Sequence, residues 1–188
     1  HAFFRRQRQM CIRDSFLLSL DKEKITFTSD EYNFYSSNVK SIYDLEEIFK
    51  IYDDFSKRSL ELISYQLEMV NRLENSGELN TTEFVEKDRE DAKRFDSLKD
   101  IKNYHHLLIK NEFINIFLSD DDFENSKSKL IKRLKNRSKT LKRINSDDIF
   151  SLFANAITSL YDPHTNYLSP KSQEDFETRV KAATFIGT

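Results

Sequence analysis

The sequence predicts an all-α protein, an irregular bundle or arch of five to six helices, two of them long. Three observations lead to this prediction. Glycine and proline each occur only twice in 188 residues, which is too few for the many tight turns of a sheet protein. Apolar residues recur at spacings of three and four along most of the chain. Helix-capping residues stand before several of these apolar runs.

Composition narrows the classes of function. Thirty basic and 32 acidic residues give a net charge of −2, so no overall charge draws the chain to nucleic acid or to an anionic membrane. The single cysteine, Cys11, excludes an internal disulfide and a thiolate metal cluster. No stretch approaches the ~20 apolar residues of a membrane span. We expect neither a metal ion nor a cofactor.

Residues 1–15 look foreign to the rest of the chain. They resemble the translated read-through of a sequencing adapter, so we expect a disordered artefact and exclude the segment from the fold. A basic N-terminal arm is the alternative interpretation. The domain is then expected to begin at residue 16, with an apolar entry from Leu17 to Phe27.

Two helix starts come next, at Ser29 and at Ser41, because each is a capping residue followed by acids. Apolar spacing extends the second helix to about Asn75, with Gly77 as its C-cap. Residues 78–97 are polar and predict a surface loop. Clustered carboxylates there would permit metal binding, but the interleaved cations favour a solvated, salt-bridged surface.

Leu98 to Leu118 predicts another helix, which contains the pair His105-His106. Adjacent helical residues point about 100° apart, so they do not form a metal pair as residues i and i+4 do. The next helix begins at Asp120-Asp121-Asp122, and residues 127–143 carry nine basic residues and no acidic one. Nucleic-acid binding is one hypothesis. Negative total charge and the lack of stacking aromatics favour packing on acidic parts of the protein or of a partner.

Asn145 caps the last long helix. That helix must end at about Tyr161, because Asp162 precedes Pro163 and is pushed toward an extended conformation. Residues 161–170 contain both prolines, and they predict a rigid connector in which Ser169-Pro170 starts a short helix. Acid–base chemistry by Asp162 and His164 is conceivable, but we favour the hypothesis that these residues hold a turn together.

Several of these segments resemble a known family. Asn145-Ser-Asp-Asp-Ile-Phe150, Asn155-Ala156 and the stretch 161–170 are similar to the end of the N-terminal helical region of the tail-specific, or C-terminal processing, proteases. Weaker matches lie at Leu20 to Phe27, at Leu73 to Gly77, at Glu86 to Glu90 and at Lys110 to Phe113. The resemblance covers about residues 16–188. It implies a helical domain over 16–170, then over 171–188 a linker helix and the severed first strand of a PDZ domain.

The resemblance also implies a function. Such a protein is an exported serine endopeptidase of the Ser/Lys type, in the periplasm or on the envelope side of a bacterial inner membrane. It degrades or trims proteins recognised by their nonpolar C-terminal tails, and an adaptor protein is a further expected partner; nucleic acid is not. The family's Ser–Lys pair lies beyond Thr188, so we assign this chain no catalytic residue. The alternatives are a helical nucleic-acid- or protein-binding module that uses residues 127–143, and a helical interaction domain unrelated to proteases.

Two sets of site residues follow from the resemblance. The last residues are similar to the segment in which backbone N–H groups of a PDZ domain receive a peptide carboxylate; these are Phe185, Ile186 and Gly187. Phe185 stands where the family has glycine. The expected interdomain turn has a structural role and consists of Asp162, Pro163, His164, Ser169 and Pro170.

Overall fold

The structure, a computed structural model, describes residues 2–37, 45–74, 83–89, 91–120, 122–162, 164–170, 173–174 and 177–178. In this part of the chain there are six helices and no strand, which confirms the all-α prediction. The helices are α1 (Ala2–Leu20), α2 (Ser29–Ser37), α3 (Leu45–Arg72), α4 (Leu98–Asp120), α5 (Phe123–Arg143) and α6 (Ser146–Tyr161). The helix start expected at Ser41, the C-cap at Gly77 and the PDZ strand lie outside the described residues.

Helix α1 includes most of the segment that was expected to be disordered. That expectation is wrong for residues 2–15, which are helical. Ile12 and Phe16 lie one turn apart and are buried in the same apolar cluster as residues of α6. Arg13 is only 3% exposed, and its guanidinium pairs with the Glu47 carboxylate of α3 at 2.6 Å. The resemblance to an adapter read-through led us to exclude a segment whose apolar residues pack on partners far along the chain.

Among the described residues, two apolar clusters form the core, and α3 contributes to both. The first joins α1, the first half of α3 and α6, with Phe16 packed edge-to-face on Phe153 at 5.7 Å. Its buried residues are Ile12, Phe16, Leu17, Phe27, Ile48, Ile51, Tyr52, Ile149, Phe153 and Ala156. The second joins the end of α3 to α4 and α5 through Val70, Ile109, Phe113, Ile116, Leu130 and Leu134. Each fully buried large apolar side chain stabilises the fold by about 1.5–3 kcal/mol.

A buried aspartate, Asp21, organises the loop between α1 and α2. Its carboxylate accepts the backbone N–H groups of Ile25, Thr26 and Phe27 at 2.9–3.1 Å. It also pairs with the guanidinium of Arg94, which in turn lies 4.2 Å from the centroid of the Tyr32 ring. A buried carboxylate is tolerated where both its charge and its lone pairs are satisfied. One side chain therefore satisfies three successive backbone N–H groups of this loop.

Arg89 is a second buried cation in the segment expected to be a solvated surface. It is 6% exposed, and its guanidinium lies 4.2 Å and 4.9 Å from the ring centroids of Phe95 and Tyr104. It donates to the carbonyls of Glu23 and Lys93. For Arg89 and Arg94 the solvated-surface prediction is wrong, because their partners include Asp21 and Glu23, which are distant in sequence.

Of the two adjacent histidines of α4, His105 uses both ring nitrogens in hydrogen bonds. His105 Nε2 donates to the carbonyl of Ile25 at 3.1 Å, and His105 Nδ1 accepts from the amide of Gln66 at 3.0 Å. Neither ring nitrogen is left to coordinate a metal ion. Burial lowers the pKa of His105, so the ring is neutral at physiological pH. In the described part of the chain, no three His, Cys, Asp or Glu side chains are grouped as metal ligands would be.

Candidate functional site: the connector after α6

The start of α6 is fixed by a local capping interaction. The Asn145 side chain accepts the backbone N–H groups of Asp147 and Asp148 at 2.9 and 3.1 Å. In return, the Asp148 carboxylate accepts the N–H of Asn145 at 3.0 Å, which completes a capping box. Ile149, at the start of the buried face, joins the first apolar cluster. The capping residue is the one that the sequence predicts.

The end of α6 is also where the sequence places it. Asp162 is extended, with φ −150° and ψ 114°, while its N–H still donates to the Thr158 carbonyl at 2.9 Å. Such a backbone is expected for a residue before proline. Pro163 itself lies outside the described residues.

None of the described helices is both long enough and apolar enough to cross a membrane.

Asp162 closes a tight turn immediately after the helix. One carboxylate oxygen accepts the His164 N–H at 2.9 Å, and the other accepts the Thr165 hydroxyl at 2.7 Å. The Thr165 N–H donates to the Asp162 carbonyl at 3.1 Å. The His164 N–H, and then the Thr165 hydroxyl, lower the pKa of Asp162. Asp162 is therefore ionised at neutral pH with both oxygens in use, an arrangement that orders a turn and does not favour proton transfer.

A side chain from the middle of α6 binds the connector as it returns along the helix. Asn155 accepts the Tyr167 N–H at 2.7 Å and donates to the Tyr167 carbonyl at 3.3 Å. Asn155 lies about two helical turns before Asp162, so the chain has reversed direction. Phe150, a further turn back, packs edge-to-face on the Tyr167 ring at 5.6 Å. We call this set of contacts the Asn155 strap. Sequence reasoning did not predict it, although Asn155 stands in a segment that resembles the family.

Helical structure resumes at Pro170. Pro170 and the described residues 173–174 and 177–178 are helical, and the Gln173 N–H donates to the Ser169 carbonyl at 2.8 Å. Ser169 therefore stands at the position before the first turn. Phe185, Ile186 and Gly187, the candidate peptide-binding residues, lie outside the described part of the chain.

The connector leaves apolar surface in contact with water. Tyr161 is 67% exposed, and Leu160 and Leu168 are each nearly half exposed. Exposed apolar side chains of this size are candidates for contact with another part of the protein when they form one patch. The arrangement as a whole fixes the direction of the chain and leaves these apolar side chains exposed.

The basic helix α5 is partly paired within the protein. Lys127 donates to the carbonyls of Asn71 and Leu73 at the end of α3, at 3.1 and 2.6 Å. Arg133 and Arg137 both contact Glu112 of α4. These cations contact the neighbouring helices α3 and α4. The sequence favoured such packing over nucleic-acid binding.

Comparison with known proteins gives two findings. The family model of the tail-specific protease N-terminal domain matches residues 7–171. A tail-specific protease of Haemophilus influenzae is 35% identical over 133 residues, which are 71% of this chain and 19% of that relative. The chain therefore spans about a fifth of the length of this relative. The family match begins within the segment 1–15 and ends just after the connector.

Proposed function

The chain belongs to the tail-specific protease N-terminal domain family, and from this premise we propose that it is the non-catalytic N-terminal domain of a C-terminal processing endopeptidase. The intact protein would degrade or trim proteins that it recognises by nonpolar C-terminal tails. The observation that carries the proposal is the family match across residues 7–171, supported by a relative named a tail-specific protease.

The proposed chemistry belongs to residues outside this chain. We propose a serine nucleophile activated by a lysine, in a part of the intact protein that follows a PDZ domain. A lysine serves as a base only when it is largely neutral, which requires a depressed pKa. Phe185, Ile186 and Gly187 would open the PDZ domain and help to receive the substrate's carboxylate. The proposed location is the periplasm or the envelope side of the inner membrane, where an adaptor protein would be a further partner.

Within this proposal the N-terminal domain has a positioning role. Asp162 and the Asn155 strap fix how the chain leaves α6. The exposed side chains of Tyr161 and Leu168 would then lie beside the next domain. A fixed connector limits the orientations that the two domains can adopt, so it would hold the tail-binding domain where the protease can use it.

Cleavage by the intact protein tests the proposal. The substrate is a folded reporter protein ending in Leu-Ala-Ala, and its matched control ends in Asp-Lys-Asp. We expect the intact protein to degrade the nonpolar-tailed reporter and to spare the control, while the 188-residue chain alone cleaves neither. Equal cleavage of both reporters would contradict tail recognition. Cleavage by the isolated chain would contradict the non-catalytic assignment.

A further inference from the structure

A groove of about 700 Å³ opens between α3, α4 and α5. Ile63, Leu141 and Ile144 supply an apolar wall. Arg133, Arg137 and Thr140 of α5 line it as well. A groove with apolar side chains and nearby cations is suited to a ligand that has both an aliphatic group and negative charge.

The charges in this groove are unbalanced. Arg137 donates to one carboxylate oxygen of Glu112 at 2.9 Å, and Arg133 lies 3.6 Å from the same oxygen. Two positive charges therefore share one negative charge. Both guanidinium groups remain more than half exposed, so each keeps N–H donors available for a further carboxylate.

The solvent face of α5 extends this positive charge. Its exposed cations recur at spacings of three and four on the side opposite the buried Leu130 and Leu134. We call them the cationic stripe; they are Lys132, Lys135, Lys139, Lys142 and Arg143. None of them has an ion partner among the described residues. Neighbouring like charges destabilise a helix, and an acidic partner would relieve that repulsion.

We propose that the groove and the cationic stripe together bind an acidic segment of a separate protein. An aliphatic side chain of that segment enters between Ile63, Leu141 and Ile144, and its carboxylates pair with the arginines and the stripe. The stripe is about 16 Å long at 1.5 Å per residue, which matches about five residues of extended chain. The apolar wall distinguishes this partner from nucleic acid, as does the absence of any Phe, Tyr or Trp from residues 124–149.

This partner surface goes beyond the proposed protease function and shares no residue with the connector. The probe is a fluorescent peptide of alternating Glu, Asp and Leu, amidated so that it has no C-terminal carboxylate. Its binding therefore cannot arise from tail recognition. A second peptide, with every Leu replaced by Ser, keeps the charge and removes the aliphatic groups.

Fluorescence anisotropy with the complete chain is the measurement. We expect the Leu peptide to bind more tightly than the Ser peptide, and added salt to weaken both. The double variant Lys135→Gln/Lys139→Gln should weaken binding by about threefold to tenfold. Thr140→Tyr, which fills the groove, should remove the preference for Leu. The control Lys50→Gln/Lys99→Gln removes the same charge from α3 and α4 and should change binding less than twofold.

Four outcomes would overturn the proposal. The first is no binding of either peptide at low salt, and the second is an equal loss in the Lys50→Gln/Lys99→Gln control. The third is tighter binding of a mixed-sequence DNA duplex, or of phosphatidylglycerol vesicles, through the same lysines. The fourth is binding by the chain but not by the intact protein, which would mean that another part of the same polypeptide covers the surface.

Discussion

Asp21 and Asp162 each follow a helix and order the chain that comes next, but in opposite surroundings. Asp21, after α1, is buried, accepts three backbone N–H groups and pairs with Arg94. Asp162, after α6, is exposed and accepts one N–H and one hydroxyl. Water can replace the partners of Asp162, whereas it cannot reach those of Asp21. An aspartate that follows a helix therefore affects global stability at Asp21 and only local conformation at Asp162.

The substitution Asp21→Asn should have the largest effect. It leaves the Arg94 guanidinium buried without its charge partner, which typically costs about 3–5 kcal/mol of unfolding free energy. Urea unfolding measures the loss. The control Glu23→Gln neutralises an exposed acid two residues away and should change stability by less than about 0.5 kcal/mol. The double variant Asp21→Asn/Arg94→Met should recover part of the loss; an equal loss in all three variants would contradict this account.

Acidification should destabilise the domain through His105, which contacts the same loop. Its pKa is lowered by burial, so the unfolded chain binds the proton at higher pH than the folded chain does. Stability is therefore fully present above the ordinary pKa of 6.5 and falls as pH decreases below it. The fall is at most about 1.4 kcal/mol per pH unit for one histidine.

Urea unfolding at about pH 7.5 and about pH 5.5, on either side of the ordinary histidine pKa, measures this dependence. His105→Gln should reduce it, while His164→Gln, in the exposed turn, should leave it unchanged. Some dependence should remain in His105→Gln, because burial also lowers the pKa of His106. If stability falls equally in wild type and in His105→Gln, groups other than His105 cause the pH dependence.

The Asn155 strap should have an intermediate effect. Asn155→Ala removes two part-buried hydrogen bonds to Tyr167, which should lower the free energy of unfolding by about 1 kcal/mol. The Tyr167 amide should then exchange its hydrogen with solvent faster. Asn103→Ala, at an exposed position of α4, corrects for the better helix propensity of alanine. Unchanged exchange at Tyr167 would show that the strap does not hold the connector.

Asp162→Ala should have the smallest effect on unfolding and a clear effect on the turn. The unfolding midpoint should stay the same, because the side chain is exposed, while the NMR signals of the His164 and Thr165 amides move. Lowering pH should release the turn only below the ordinary carboxyl value of 3.8, because the pKa of Asp162 is lowered further by its partners. A large drop in the unfolding midpoint would remove the distinction between Asp21 and Asp162.

The predictable parts of this fold are those whose signals are local. The cap at Asn145 and the helix end before Pro163 each depend on a few neighbouring residues, and α6 lies where they place it. Apolar spacing likewise predicted α3 as one long helix, although it ends at Arg72 and not at about Asn75. The family was identified from the resemblance to the tail-specific proteases, because apolar spacing and composition do not distinguish one helical family from another.

The parts that were missed depend on contacts between distant residues. Arg94 looks like a surface cation until Asp21, 73 residues earlier, is placed beside it. The segment before residue 16 was excluded because it resembles an adapter read-through, and the burial of Ile12 against α6 depends on residues far along the chain. The partner of the Asn155 side chain is Tyr167, which reaches it only after the chain reverses. Such pairings are set by tertiary packing and leave no periodic trace in the sequence.

The packing of α1 on α6 has a consequence for synthesis. Phe16 meets Phe153 only after roughly 140 further residues have been made, which at about 5–20 residues per second takes on the order of ten seconds. The cluster of α3, α4 and α5 can assemble during that interval, while Phe16 and Leu17 wait in a nascent chain that is prone to aggregation. The connector acquires its direction only at this last step. A chain whose synthesis stops before α6 would therefore lack both the complete first apolar cluster and the connector.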